Sequence, residues 1–186
     1  MKMQMTKETA LILIDVQKAW DDPVWGKRNN PMAETVMSSI LGDFRKSRFH
    51  VYHVVHDSRN ESSLLRMGKP GFEIKDEVKP VPGEPIIVKH VNSAFIGTDL
   101  QERLHRDSIT GVVFCGITTD HCVSTSARMS ANLGFITGIV SDACVAYDRK
   151  DQNGSTVPAE EVHRVNLASL DGEFASVFRY GELMFS

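Results

Sequence analysis

The chain has 186 residues, 41% of them hydrophobic and 24% charged, and a net charge of −3. That length suits one domain, taken as 1–186, with a core of its own. The mild acidity and the lack of a dense Lys/Arg run argue against a nucleic-acid partner and against a membrane-surface patch.

Residues 1–9 are polar, and the apolar run at 10–14 is far too short for a signal-peptide core or a membrane span. A cytoplasmic location is the resulting expectation. That run, ALILI, is predicted to be a buried strand. A helix is predicted over 32–46, beside Pro31, and a second strand over 50–56 (HVYHVVH). The stretch 57–83 is polar, holds Gly68, Pro70, Gly71, Pro80, Pro82 and Gly83, and is long for a connection, which marks it as functional or disordered. Strand 85–88 (PIIV) follows, then a helix over 98–106 with Leu100 and Leu104 four residues apart. Strand 111–115 (GVVFC) leads to a helix over 120–133, stopped by Gly134. Strand 135–140 (FITGIV), a surface turn at 148–154, a helix over 158–170 and a weaker strand at 174–178 (FASVF) complete the chain. Pro158 opens that last helix, and Glu160 and Glu161 sit in its first turn, where the helix dipole favours acids.

Strands without polar alternation, separated by helices, predict a parallel sheet covered on both faces. With right-handed crossovers this is a three-layer αβα, doubly wound, Rossmann-like domain around a mainly parallel six-stranded sheet in the order 3-2-1-4-5-6.

Ligands of such sheets bind beyond the carboxyl ends of the strands. Three chemically apt residues arrive there: Asp15 after the first strand, Lys89 after the third, and Cys122 just beyond the fourth. Each has a plainer reading alone. An Asp after a strand is commonly a cap, a terminal Lys is usually solvated, and a free Cys is most often a small core residue. Together they supply a base, a charge and a nucleophile. A helix N-terminus with a nearby Lys is expected to lower the Cys122 pKa, and Thr118, Thr119 and Asp120 are candidate caps for that helix. Cys115 and Cys144 are expected to be structural. An odd, sparse set of three cysteines without a CxxC pair suits neither a disulfide framework nor a zinc knuckle.

These residues resemble the isochorismatase-like cysteine hydrolase superfamily, which includes nicotinamidases, N-carbamoylsarcosine amidase and streptothricin hydrolase. The matching pieces are Leu13-Ile14-Asp15-Val16-Gln17, Lys89 followed by Asn92-Ser93-Ala94-Phe95, and Cys115-Gly116-Ile117-Thr118-Thr119-Asp120-His121-Cys122-Val123. Ser141-Asp142-Ala143-Cys144 and the helix at 159–170 add to the likeness. The resemblance implies Asp15 as general base, Lys89 as the residue that orients and charges the site, and Cys122 as nucleophile. It also implies a cis peptide at Ile117–Thr118, and an oxyanion hole formed by the Thr118 and Cys122 N–H groups. Asp57-Ser58-Arg59-Asn60 departs from the nicotinamidase metal motif, since Arg59 stands where a ligand His belongs; no metal and no organic cofactor are therefore expected. His53 and His56 do not restore the motif, because on a strand they point to opposite faces.

Pocket candidates are Trp20, Phe95, Asn92, Thr119 and Arg66. Asn92 either holds its loop or touches substrate. Arg66 binds a carboxylate-bearing substrate, meets a neighbouring subunit or is simply solvated. His121 is expected to point away from its neighbour Cys122. The expected function is cysteine-dependent hydrolysis of a small-molecule amide (a C–N bond) through a thioester; the resemblance also implies a homo-oligomer whose 57–83 loop can reach a neighbour's site. The alternatives are a vinyl-ether hydrolase that does not need Cys122, and a non-enzymatic binding protein on the same fold.

Overall fold

The computed structural model of the chain describes residues 3–185; Met1, Lys2 and Ser186 of the expected 1–186 domain lie outside the described residues. Among the described residues, ten strands and four α-helices occur in the order β1 (Met3–Met5), β2 (Thr9–Ile14), α1 (Ala33–Lys46), β3 (His50–His56), β4 (Ile86–Lys89), α2 (Leu100–Arg106), β5 (Gly111–Ile117), α3 (Ser124–Asn132), β6 (Ile136–Val145), β7 (Arg149–Lys150), β8 (Thr156–Val157), α4 (Ala159–Leu170), β9 (Ser176–Phe178) and β10 (Leu183–Phe185). The main sheet runs β4-β3-β2-β5-β6-β9, parallel throughout. This is the 3-2-1-4-5-6 order expected from the pattern of strands and helices.

Period-two alternation along β2 divides the core. Leu11 and Leu13 face α1, whose Met37, Ile40, Leu41 and Phe44 form its apolar stripe. Ala10, Ile12 and Ile14 face the other way, toward Leu100 and Leu104 of α2, Ala127 of α3, and Leu167 and Leu170 of α4. Both faces of β2 are buried, so its sequence shows no polar alternation. Helix α1 carries Glu34 in its first turn and Arg45 and Lys46 in its last, each sign at the end the helix dipole favours.

The structure departs from the expected element ends in several places. Strand β6 continues to Val145, five residues beyond the expected 140, with a register shift between Phe114 and Gly116 on β5. Polar Ser141 and Asp142 look like a strand end in sequence, but their side chains find partners: Ser141 donates to the Phe178 carbonyl and Asp142 accepts from the Tyr180 N–H. The β1–β10 ribbon and the β7–β8 hairpin went unforeseen, because two or three residues carry no readable period. Segment 148–154 does lie at that hairpin's turn. Among the described residues no helix is long and apolar enough to cross a membrane.

The 57–83 segment is folded back on the carboxyl edge of the sheet and contains short 3₁₀ turns at Pro70–Phe72 and Asp76–Val78. Gln17, fully buried, donates to the Phe72 and His56 carbonyls and accepts from the His56 N–H, tying this segment to the ends of β2 and β3. Lys75 is a second anchor. Its ammonium meets the carboxylate of Glu34 at 2.8 Å, and Arg28 meets the same carboxylate through both terminal nitrogens at 2.7 and 2.8 Å.

Burial alone would raise the Glu34 carboxyl, but the hydrogen bonds from Arg28 and Lys75 override it and bring it down to about 2. A depressed carboxyl contributes stability above its unfolded pKa, near 4.5, and loses that contribution as pH falls toward 2. Glu34→Gln should therefore cost about 3 kcal/mol near pH 7, and the gap in thermal midpoint from the parent should narrow steadily as pH is lowered from 6 toward 2. A gap independent of pH would show that the charge is not what holds the loop. Gly116 gives a second expectation. It has φ +142°, and an added Cβ would lie 2.1 Å from the Ile14 carbonyl oxygen, which belongs to backbone. Gly116→Ala should lower stability by at least about 3 kcal/mol in denaturant titration; a shift below about 1 kcal/mol would mean that β2 and β5 can part freely.

Candidate active site

Three strand ends bring the site together. Asp15 follows β2 with φ +51°, in the left-handed region that Asp tolerates better than most residues. Its backbone is held there from both sides: its N–H donates to the Val54 carbonyl, and its carbonyl accepts from the Gln17 N–H and the Trp20 indole N–H. Lys89 is the last residue of β4, and Cys122 lies in the turn after β5. Asp15 and Lys89 are both fully buried, and Cys122 is 8% exposed.

The Lys89 ammonium links them. Nζ lies 2.7 Å from Asp15 Oδ2, 3.3 Å from Cys122 Sγ, 3.0 Å from His56 Nδ1 and 3.2 Å from the Val91 carbonyl oxygen. Asp15 Oδ1 is buried without a hydrogen-bond partner among the described residues. Burial pushes the Cys122 thiol up and the neighbouring Asp15 carboxylate adds to the effect, while Lys89 acts the opposite way. The expectation of a lowered thiol pKa is thus corrected: burial and the carboxylate outweigh the lysine, and the resting sulfur is protonated. Cys115 and Cys144 are wholly buried in the core; burial also holds Cys144 up, at about 12, and Cys115 well above the ordinary thiol range.

The turn that carries Cys122 is a π-type turn, Thr119–Val123, ahead of α3. The Ile117–Thr118 peptide before it is cis. The expected side-chain caps are not formed. Thr119 Oγ1 pairs with His163 Nδ1 at 2.8 Å, Asp120 accepts from Arg149 at 2.7 Å, and Thr118 Oγ1 is buried without a partner among the described residues. A π-type turn stands here in place of the regular first helical turn that those caps would have closed. It also brings His121, expected to point elsewhere, to the cleft wall.

Asp15, Cys122 and Thr118 lie at the bottom of a cleft of about 210 Å³. Of the expected pocket residues, Trp20 and Asn92 line it. Phe95 instead stacks on Phe135 with ring centroids 6.1 Å apart, Thr119 faces α4, and Arg66 donates to the Ser58 carbonyl within its own loop. Sequence order alone could not separate them, because neighbours in a loop face opposite ways. Trp25, Leu65 and His56 line the cleft and were not foreseen. His56 was discoverable: it ends β3 in register with Lys89, so the rule of strand carboxyl ends reaches it. A larger hollow of about 560 Å³, bordered by His50, Tyr52, Glu84 and Asp107, lies at the opposite, amino edge of the sheet and has no cysteine, serine, threonine or lysine in its lining. Chemistry rather than volume therefore selects the smaller cleft.

Asp15, His56 and Cys122 place possible metal-ligand atoms within 4.8 Å of one another. Lys89 Nζ already lies in contact with all three, so a positive charge of the protein itself occupies that position. At the place of the nicotinamidase motif, Asp57 accepts from the Met67 N–H and faces Arg66 at 3.5 Å.

Residues 9–167 match the isochorismatase domain. The chain is 47% identical over 180 residues to the uncharacterized isochorismatase family protein YrdC of Bacillus subtilis (strain 168), covering 97% of this chain and 96% of that one. It is 28% identical to a streptothricin hydrolase of Streptomyces noursei, covering 95% of this chain and 64% of the relative. The crystal structure of a hydrolase of the isochorismatase family from Chromobacterium violaceum superimposes with a TM-score of 0.94 at 39% identity, covering 98% of this chain and 95% of that one. With this match in sequence and fold, the chain belongs to the isochorismatase family of hydrolases.

Proposed function

We propose that the protein hydrolyses a small amide-type substrate through a thioester on Cys122, with Asp15 as proton carrier. The observation that carries this reading is the single ammonium of Lys89 in contact with both the Asp15 carboxylate and the Cys122 sulfur. The name of the streptothricin hydrolase relative agrees with hydrolytic chemistry.

Because the resting sulfur holds its proton, the base must act during attack. Cys122 Sγ adds to the substrate carbonyl carbon while its proton passes to Asp15. The unpartnered Oδ1 is the free acceptor for it. The oxyanion is held by the Thr118 and Cys122 N–H groups. Collapse breaks the C–N bond, and Asp15 returns the proton to the leaving amine. Water then attacks the thioester, Asp15 takes its proton, and the sulfur leaves as thiolate. That thiolate recovers the proton from Asp15, releasing a carboxylic acid and restoring the resting state. Lys89 stays charged and offsets the negative charge that moves between oxygen and sulfur.

Homo-oligomeric assembly and a cytoplasmic location belong to the same reading; light scattering on the purified protein decides the first.

Ammonia release from a panel of small primary amides and ureides tests the reaction. Cys122→Ala and Asp15→Asn should each lower kcat by about a thousandfold or more on any substrate found. An active Cys122→Ala protein would replace the thioester route with ether-type hydrolysis by Asp15. Alkylation tests the proton inventory. Iodoacetamide should label Cys122 slowly at pH 7 and faster with rising pH, without a plateau below pH 10. Removing the carboxylate in Asp15→Asn should speed labelling at pH 7, and Lys89→Met should slow it. The opposite order would show that Asp15 does not keep the thiol protonated.

A further inference from the structure

His56 has no role in the scheme above, yet its ring lines the cleft and touches Lys89. An ammonium has only hydrogens to offer, so Nδ1, 3.0 Å from Nζ, presents its lone pair. In the neutral imidazole the proton is then on Nε2. Burial first, and the Lys89 charge next, lower the proton affinity of the ring; Asp15 and Asp57 oppose them and His90 adds to them. The ring is thus neutral near pH 7. No protein group among the described residues pairs with Nε2. The Trp20 and Trp25 indole N–H groups that share the cleft wall are spent, because they donate to the Asp15 and Ala19 carbonyls.

We infer that His56 is a substrate-contacting residue: Lys89 pins it in the Nε2–H tautomer, and Nε2–H donates to a second acceptor on the substrate. The substrate class is then a small amide with another carbonyl-type oxygen near the scissile group, not a simple alkyl amide. This rests on the proposed function only in taking the cleft as the substrate site.

Long-range ¹⁵N–¹H correlation NMR of the wild-type protein at pH 7 should show His56 as the Nε2–H tautomer, with Nδ1 unprotonated. The binding test uses malonamide, which has a second carbonyl, and butyramide, which has none, titrated into the Cys122→Ala protein. Malonamide should bind about three- to tenfold more tightly, the worth of one neutral hydrogen bond. Adding His56→Asn should abolish that preference, because its amide can meet Lys89 at the Nδ1 position but does not extend to Nε2. Adding His56→Gln, whose amide nitrogen reaches the Nε2 position, should keep it. An Nδ1–H tautomer or a free-histidine mixture would overturn the inference. So would equal or undetectable binding of both probes, or a preference that survives His56→Asn or is lost in His56→Gln. Turnover by the Cys122→Ala protein would strike the thioester reading instead and leave this result standing.

Discussion

Lys89 and Asp15 form an ion pair from which water is fully excluded, and the rest of the site is arranged around it. Taking each charge out of water costs several kcal/mol, and only close contact with further hydrogen bonds offsets that. The protein supplies both. Lys89 reaches a carboxylate oxygen, an imidazole nitrogen, a carbonyl oxygen and a sulfur, more acceptors than its three hydrogens need. Such a pair exists only if β2 and β4, the first and third strands of the doubly wound order, end at the same height with β3 between them. The parallel register, His56 against Lys89 and Ile14 against Val54, provides that height.

Two close approaches turn this sheet edge into a chemical site. Gly116 lets the end of β5 lie against the Ile14 carbonyl, so the turn bearing Cys122 starts beside Asp15. Asp15 itself leaves the strand in a left-handed conformation, held there by the Val54, Gln17 and Trp20 hydrogen bonds. The electrostatics follow from the same packing. A sulfur buried beside a carboxylate is costly to ionise, so burial and Asp15 together hold the Cys122 thiol above its ordinary range.

Much of the cleft wall comes from segments outside the sheet. Trp20 and Trp25 lie with ring centroids 4.6 Å apart, and Tyr147 from beyond β6 stacks on Trp20 and donates to its carbonyl. Leu65 arrives from the long 57–83 segment, which Gln17 and Lys75 fasten to the sheet and to α1. The segment is therefore part of the site's framework, consistent with its length and its placement after β3.

Sequence alone determined the strand order, the two-sided burial of the sheet, and the arrival of Asp15, Lys89 and Cys122 at one edge. Apolar runs without alternation, with helical spacing between them, admit few topologies, and the carboxyl-end rule needs only topology. Tertiary structure decided what depends on direction and dielectric. Thr119, next to Thr118, and Phe95, three residues after Asn92, turn into the packing against His163 and Phe135, whereas His56, Trp25 and Leu65 turn into the cleft. Whether the Cys122 proton stays or leaves was equally beyond the sequence. A cysteine near a lysine reads as activated until the depth of burial and the nearer claim of Asp15 are known, and both are properties of how the strands close in space.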